Sequence, residues 1–389
     1  MRIAFHAPLK PADHPVPSGD RAMARALLAL LREGGHEPVP TGRFRTYDRA
    51  GDGARQARIE RLGARLADRL LRRIAAGFLP PPELWLTYHL YHKAPDHLGP
   101  RVADRLDLPY LVVEGSASRR QAHGPWALGH AASLAALHRA DLVLAMTERD
   151  RRGLLEAGIA AEAVRLFPPF LDAAPFRAAA AGRARHRASL AERLGLDPAV
   201  PWLLAVAMMR EDVKRRSYEL LAEALAGLSQ PPWALLVAGD GPARPAIEPI
   251  LRAACGERLR LLGELPAEAL PELHAACDLF VWPAVGEAYG MALLEAQAAG
   301  LPVVAGKEGG VAAVVADGIT GFLVPPRDPE ALARAAARLL EQPELRLRLG
   351  RAAAGRVLRE HDRPLARARL EAALAAARAR HAARKRRAA

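Results

Sequence analysis

Cysteines are scarce and long hydrophobic runs are missing in this chain of 389 residues. Cys255 and Cys277 lie far apart without a C-x-x-C spacing, so we expect buried small side chains rather than a disulfide or metal ligands. No apolar stretch approaches the roughly 18 residues that span a bilayer, so any membrane contact would be peripheral. Residues 1–5 run directly into a strand-like segment without a secretory leader, which favours the cytoplasm.

Positive charge is in excess, with a formal net charge of +13. This excess favours an anionic partner such as nucleotide phosphates, an acidic membrane surface or nucleic acid. The alternative is a compositional bias spread over solvated helix faces. The basic run 384–387 is expected to be a frayed solvated tail, with contact to anionic lipid as the alternative.

Short apolar runs alternate with amphipathic segments, which predicts open parallel sheets covered by helices. The length favours two domains rather than one. The pattern pauses at residues 167–170, and a linker with a basic helix over residues 177–194 follows. Thr147 and Asp328 are predicted helix caps. The predicted strands are residues 2–7, 84–88, 110–113, 142–145, 202–207, 234–238, 259–262, 279–282 and 303–305.

Glu287 and Glu295 lie eight positions apart across a loop-to-helix junction. Backbone amides around Tyr289, Gly290 and Met291 are predicted to hold phosphate, because helix N-termini attract anions and glycine allows close approach. The two carboxylates would repel phosphate but suit sugar hydroxyls. The segment therefore predicts a site for a sugar attached to a diphosphate.

Two cations follow the predicted strand 202–207. Arg210 and Lys214 lie in the loop at its carboxyl end, where open α/β sheets bind ligands. Fixed positive charges there would offset the charge that develops on a leaving diphosphate. Whether Lys214 or its neighbours Arg215 and Arg216 contact the phosphate stays open at this stage.

These motifs, in this order, resemble glycosyltransferase family 4, whose members are retaining enzymes of the GT-B fold. The likeness is strong from about residue 202 to 361. It rests on segments 209–214, 237–242 (with Gly239-Asp240-Gly241), 262–265, 287–295, 308–310 and 317–324.

The resemblance implies an α/β fold of two Rossmann-like domains facing across a cleft. Residues 1–170 would form the acceptor domain and residues 195–360 the nucleotide-sugar-binding domain. A C-terminal helix over residues 363–382 would cross back to the first domain.

The resemblance also implies site roles. Arg210 and Lys214 would bind the diphosphate, Glu287 the donor hexose and Glu295 the ribose. Leu265 would border the base, without distinguishing uridine from guanosine. No Asp-x-Asp of the kind used by metal-dependent transferases is found, so no metal and no cofactor are expected.

The first half departs from the family pattern. Only Gly19 stands where two adjacent glycines are common, and Glu114 replaces a usual His-Asp. The Glu114 carboxylate would accept a hydroxyl of the sugar or acceptor. His89 lies in an aromatic run that is interpreted as a cleft wall or acceptor site, or else as ordinary loop. Arg119 would bind an anionic acceptor, with a surface ion pair as the alternative.

The sequence therefore predicts a cytoplasmic, metal-independent, retaining hexosyltransferase of polysaccharide or glycolipid biosynthesis. It would move a sugar from a UDP- or GDP-linked donor to a glycan, a lipid-linked acceptor or a small acceptor, without a nucleic-acid partner. Contact with an anionic inner membrane face is part of this prediction. The alternatives are a nucleotide-sugar epimerase of the same fold and a non-catalytic basic protein that binds nucleic acid or membrane.

Overall fold

The computed structural model describes residues 1–16, 18–228 and 231–388. The chain forms two compact units. Unit 1 contains Met1–Pro168 and the residues from Pro364 onward, and unit 2 contains Pro169–Arg363.

Unit 1 is built on a parallel six-stranded sheet with the strand order β2-β1-β3-β4-β5-β6. Its central strands are buried except at His89 of β3, as expected for a sheet covered on both faces. The strands are β1 (Arg2–His6), β2 (Glu37–Pro40), β3 (Leu84–Leu90), β4 (Tyr110–Gly115), β5 (Leu142–Ala145) and β6 (Val164–Leu166). The helices before the second unit are α1 (Gly19–Glu33), α2 (Gly53–Ala75), α3 (Gly99–Arg105), α4 (Ala127–Arg139) and α5 (Glu148–Glu156).

Unit 2 repeats this architecture with the strand order β12-β11-β10-β7-β8-β9, again all parallel. Its strands are β7 (Trp202–Val206), β8 (Ala234–Ala238), β9 (Leu259–Gly263), β10 (Leu279–Trp282), β11 (Val303–Gly306) and β12 (Gly321–Val324). Its helices are α6 (Ala174–Ala181), α7 (Arg183–Leu194), α8 (Val213–Ala226), α9 (Arg244–Cys255), α10 (Leu270–Ala276), α11 (Met291–Ala298), α12 (Val311–Val314), α13 (Pro329–Glu341) and α14 (Pro343–Arg356).

The predicted α/β class with two Rossmann-like domains is confirmed, and the chain returns to unit 1 in the last helix, α15 (Arg363–Ala388). Within unit 1, Glu371 accepts a hydrogen bond from His36 at 3.0 Å, and Arg380 donates to the carbonyl of Asp141 at 2.7 Å. These contacts attach the helix along its length.

The prediction of a frayed basic tail is wrong. Residues up to Ala388 continue α15, and two of the tail cations have acidic partners. Arg384 lies 3.0 Å from Asp141, and Lys385 contacts Asp107. Carboxylates of unit 1 therefore bind part of this charge.

The basic segment predicted as a linker forms α6 and α7 and belongs to unit 2. Arg183 and Arg187 bind Asp278 at 2.7 and 2.9 Å, and the same carboxylate accepts the Trp202 amide at 2.8 Å. Two helix cations are thereby attached to the point where β10 and β7 begin. The charge of this segment is used within the fold, which sequence periodicity did not indicate.

Strand order reverses once in each sheet, between β1 and β3 in unit 1 and between β7 and β10 in unit 2. At such a point the connections leave in opposite directions and open a crevice at the carboxyl ends of the strands, where ligands bind in folds of this kind. In the described ranges, none of the helices is both long and apolar enough to cross a membrane.

Candidate functional site

The loop after β7 carries Arg210, and a glycine pair after β8 supports that loop. The Met209 amide donates to the carbonyl of Asp240 at 2.8 Å. Gly241 has φ +150°, and a Cβ there would lie 2.4 Å from the Met209 carbonyl oxygen. Only glycine allows this approach. The Gly239-Asp240-Gly241 turn is therefore a backbone contact that positions the loop of Arg210.

Of the three adjacent cations at the start of α8, Lys214 is the one directed at Glu287. Their side chains are in contact, and both are more than four-fifths buried. Arg215 and Arg216 instead bind Glu219 at 3.1 and 3.2 Å. The ambiguity left by the sequence is thus reduced, because ion pairs with the helix's own acid hold the other two cations.

Arg210 is half-exposed, and its Nε lies 3.1 Å from the carboxylate of Asp212. Asp212 also caps α8 by accepting the Lys214 amide at 2.9 Å. One carboxylate therefore ties both predicted phosphate-binding residues to the same turn.

The loop between β10 and α11 carries Glu287 and is also held by a glycine. Gly309 has φ +60°, and a Cβ there would lie 1.8 Å from the Glu287 carbonyl oxygen. On the side-chain side, Trp282 Nε1 donates to Glu287 Oε1 at 3.1 Å. Trp282 was not among the residues predicted from the sequence.

Helix α11 begins after Gly290, whose φ of +81° is left-handed. The carbonyl of Gly290 accepts the amides of Leu293 and Leu294, at 3.0 and 3.3 Å. The amides of Gly290 and Met291 come before these two in the chain. They donate to no backbone carbonyl of the described residues. Such amides at a helix N-terminus favour an anion. The Tyr289 side chain is buried, so the backbone around Tyr289, and not its side chain, is the part predicted to bind phosphate.

Glu295 lies one turn inside α11 and is half-buried. Burial raises the pKa of its carboxyl to about 7. No hydrogen bond or ion pair to its side chain is found in the described parts of the chain. Its oxygens therefore accept hydrogen bonds without first breaking an internal pair, which suits a vicinal diol.

Leu265 follows β9 and lines a cavity of about 410 Å³ in unit 2, together with Leu190, Leu194 and Leu261. This places its side chain between α7 and the edge strand. Its role beside the nucleotide base stays a prediction.

Of the residues predicted in unit 1, His89 and Glu114 lie close together, whereas Arg119 lies apart from them. His89 Nδ1 is 3.1 Å from Asp20 Oδ1 and 3.7 Å from Glu114 Oε2. Gly19 begins α1 beside Asp20, with open space where a side chain would lie. Arg119 lies exposed on a 3₁₀ turn, and no contact between it and Glu114 is found in the described chain. The alternative of a surface ion pair between Arg119 and Glu114 is therefore not supported, and the role of Arg119 toward an anionic acceptor stays a prediction.

In unit 1, Asp20 is a site residue that sequence reasoning missed. It lies in the first turn of α1, the helix that follows β1, and β1 is the neighbour of the strand that bears His89. The two residues lie 69 positions apart in the chain, and the sequence carries no signal for this contact. The only indication was an acid immediately after Gly19.

Asp20, His89 and Glu114 form a cluster of charged groups. Within this cluster, charge interactions and burial shift the pKa values of His89 and Glu114 in opposite directions. Burial favours the neutral imidazole of His89, but the Glu114 carboxylate and the hydrogen bond to Asp20 outweigh it and raise the pKa of His89 to about 9. Burial raises the pKa of Glu114 to about 7 against the opposing effect of His89. Both residues have φ +60°, a strained conformation for side chains of this kind.

Two Rossmann-like units with parallel six-stranded sheets give the protein the fold of GT-B glycosyltransferases. Structural neighbours include Anabaena Alr3699/HepE in complex with UDP, with a TM-score of 0.73 and 18% identity over 96% of this chain and 100% of that one. WaaG, a glycosyltransferase involved in lipopolysaccharide biosynthesis, gives a TM-score of 0.63 and 18% identity over 91% and 95% of the two chains.

Sequence comparison agrees for unit 2. Residues 204–356 match the family model described as Glycosyl transferases group 1. The alpha-D-kanosaminyltransferase of Streptomyces kanamyceticus is 36% identical over 234 residues, 59% of this chain and 57% of the relative. The D-inositol 3-phosphate glycosyltransferase of Salinispora arenicola is 35% identical over 202 residues, 49% and 44% of the two chains. The chain spans about half the length of these curated relatives.

We predict that His89 stays protonated well above neutral pH. Its imidazole signal, followed by NMR in protein with isotope-labelled histidine, should titrate near pH 9. Asp20→Asn should lower that value, because it removes a charge that stabilises the imidazolium. His92 is the internal control, since burial and Lys93 lower the pKa of His92 to about 4. A His89 signal that titrates near 6.5 in both proteins would contradict the cluster.

Proposed function

We propose that this protein is a retaining glycosyltransferase of family 4 that uses a UDP- or GDP-linked sugar as its donor. The observation that carries the proposal is the meeting of Lys214 with Glu287 where strand order reverses in unit 2. The match of residues 204–356 to Glycosyl transferases group 1 and the names of the relatives support it. A UDP complex among the structural neighbours supports a nucleotide-linked donor.

Within unit 2 we assign the diphosphate to Arg210, Lys214 and the first amides of α11. Cations and aligned amides together offset the charge that develops on the leaving diphosphate. These groups do the electrostatic task that a metal ion performs in other transferases, so we propose a reaction without metal or cofactor. The nucleotide would then be the leaving group, with the anomeric configuration retained as the resemblance implies.

Two carboxylates would bind the sugars on either side of the diphosphate. We assign Glu295 to the ribose hydroxyls, because its carboxylate has no internal partner among the described residues. We assign Glu287 to hydroxyls of the transferred hexose. Hydrogen bonds from hydroxyls to a carboxylate are charge-assisted, so each is stronger than a hydrogen bond between neutral groups.

We assign the acceptor to unit 1, with Gly19, His89 and Glu114 as its candidate contacts. Asp20 joins this group through its contact with His89. Arg119 stays a candidate only for an anionic acceptor that reaches the exposed 3₁₀ turn. A glycan, a lipid-linked sugar and a small acceptor are all compatible with these side chains.

We further propose a cytoplasmic enzyme that contacts anionic membrane surface peripherally. The support is helix α2, whose exposed arginines give it an excess of positive charge on the side that faces solvent. These exposed residues are Arg55, Arg58, Arg61, Arg65, Arg69, Arg72 and Arg73.

The donor assignment predicts a thermal shift with the right nucleotide sugar. A ligand at 100 times its dissociation constant stabilises the native state by about 2.7 kcal/mol. In a panel of UDP- and GDP-sugars, the protein should show that shift with at least one member, and Glu295→Ala should abolish it. Glu330→Ala, at an exposed acid of α13, is the matched control and should leave the shift intact.

The same panel distinguishes transfer from epimerisation. A transferase releases free nucleoside diphosphate only when an acceptor is present, whereas an epimerase converts the nucleotide sugar without releasing it. Absence of any shift with every donor would contradict the proposal. Steeply salt-dependent binding of nucleic acid in its place would favour a basic binding protein.

Donor affinity should depend on pH through Glu295. Its pKa is raised to about 7, so the carboxylate is mostly ionised at pH 8 and mostly protonated at pH 6. Because the ionised form accepts stronger, charge-assisted hydrogen bonds from the ribose hydroxyls, affinity should fall by up to about tenfold from pH 8 to pH 6. Calorimetry on Glu295→Gln should give weaker binding with a flatter pH profile. An equally steep profile in that variant would assign the titration to another group.

A further inference from the structure

Trp282 connects the hydrophobic core of unit 2 to the side chain of Glu287. It is the last residue of β10 and is 2% exposed. Its Nε1–H donates to Glu287 Oε1 at 3.1 Å. A buried indole N–H needs an acceptor, and here that acceptor is a residue of the candidate site.

The indole ring is held from behind by Tyr218 of α8. The two rings meet edge to face, with centroids 4.9 Å apart and planes at 78°. Tyr218 is fixed in turn, because its hydroxyl donates to the Ala207 carbonyl at 2.6 Å. A Cβ at Gly239 would lie 1.9 Å from the Ala207 oxygen, so the surrounding backbone is tightly packed. The direction of the Trp282 N–H is therefore set by the core.

Lys214 shares the same oxygen of Glu287 and lies 5.6 Å above the Trp282 ring. Two donors thus converge on Oε1, one cationic and flexible, the other neutral and fixed. No described residue donates to the other oxygen, Oε2. That oxygen is left for a hydroxyl of a ligand.

We propose that Trp282 is a positioning residue that keeps Glu287 directed at the donor sugar when Lys214 binds the diphosphate. The inference rests on the proposed function. A diphosphate would compete with the Glu287 carboxylate for the single charge of the Lys214 ammonium, whereas the neutral indole N–H would keep its contact with Oε1. Preorganising an acceptor in this way lowers the cost of binding the sugar.

Trp282→Phe tests this role, because it keeps an aromatic ring against Tyr218 and removes only the N–H donor and the second ring. The measurements are dissociation constants of the full chain for the nucleoside diphosphate alone and for the corresponding nucleotide sugar. Their ratio is the gain in affinity due to the sugar. This gain should fall by about fivefold in the variant, because Glu287 loses the indole hydrogen bond that holds its carboxylate in place. Affinity for the diphosphate alone should stay within about twofold.

The matched control is Trp233→Phe. Its indole also donates a hydrogen bond, to the Leu228 carbonyl at 2.8 Å, in the same unit but away from the site. This variant should leave both constants unchanged. Tyr218→Phe is a second variant that removes the hydroxyl fixing the supporting ring, and we expect a smaller loss of the sugar's contribution.

A double-mutant cycle with Glu287→Gln separates positioning from general destabilisation. If Trp282 acts through Glu287, adding Trp282→Phe to Glu287→Gln should weaken sugar binding by less than it does in the wild type. An equal loss of affinity for the nucleotide sugar in both backgrounds would overturn the inference. An equal loss of affinity for the nucleoside diphosphate and for the nucleotide sugar would overturn it as well. A wild-type chain that binds no nucleotide at all would overturn the proposed function, and the inference with it.

Discussion

The reversal of strand order between β7 and β10 is the constraint on which the site in unit 2 depends. Because these strands are neighbours in a parallel sheet, the loops that follow them open at the same edge. Lys214 lies in the first turn of α8, after the β7 loop, and Glu287 lies in the loop after β10, 73 positions apart in the chain. Unit 1 has a similar arrangement, since Asp20 lies in the first turn of the helix after β1 and His89 lies near the carboxyl end of β3, on either side of its own reversal. Each unit therefore brings polar groups together where its sheet leaves a crevice.

Backbone packing, rather than side-chain bonding alone, fixes the two loops in unit 2. Gly241 approaches the Met209 carbonyl, and Gly309 approaches that of Glu287, each more closely than any side chain allows. The loops are thus supported by β8 and by the segment after β11. A ligand that replaces the Lys214–Glu287 contact then meets a preformed frame, so less of its binding energy is used to order the protein.

Much of the fold was predictable from the sequence, because buried parallel strands appear as short apolar runs. The strands at 142–145, 234–238 and 279–282 have the predicted bounds. Strand β2 was missed, since Pro38 and Pro40 argue against a strand and are tolerated only at the sheet edge. The caps at Thr147 and Asp328 are confirmed, since each side chain accepts an amide three residues on. The partners of Glu287 and His89 were not predictable, because strand order and loop conformation decide those contacts. The four-residue spacings from Glu211 to Arg215 and from Arg215 to Glu219 were the available signal that Arg215 has other partners.

The most direct test of this account is a crystal structure of the full chain with the nucleotide sugar that it binds. The account predicts diphosphate oxygens within hydrogen-bonding distance of Lys214, Arg210 and the first amides of α11. It further predicts ribose hydroxyls on Glu295 and a hexose hydroxyl on Glu287. A nucleotide bound elsewhere, or bound with Glu295 and Lys214 out of reach of it, would contradict the central claim.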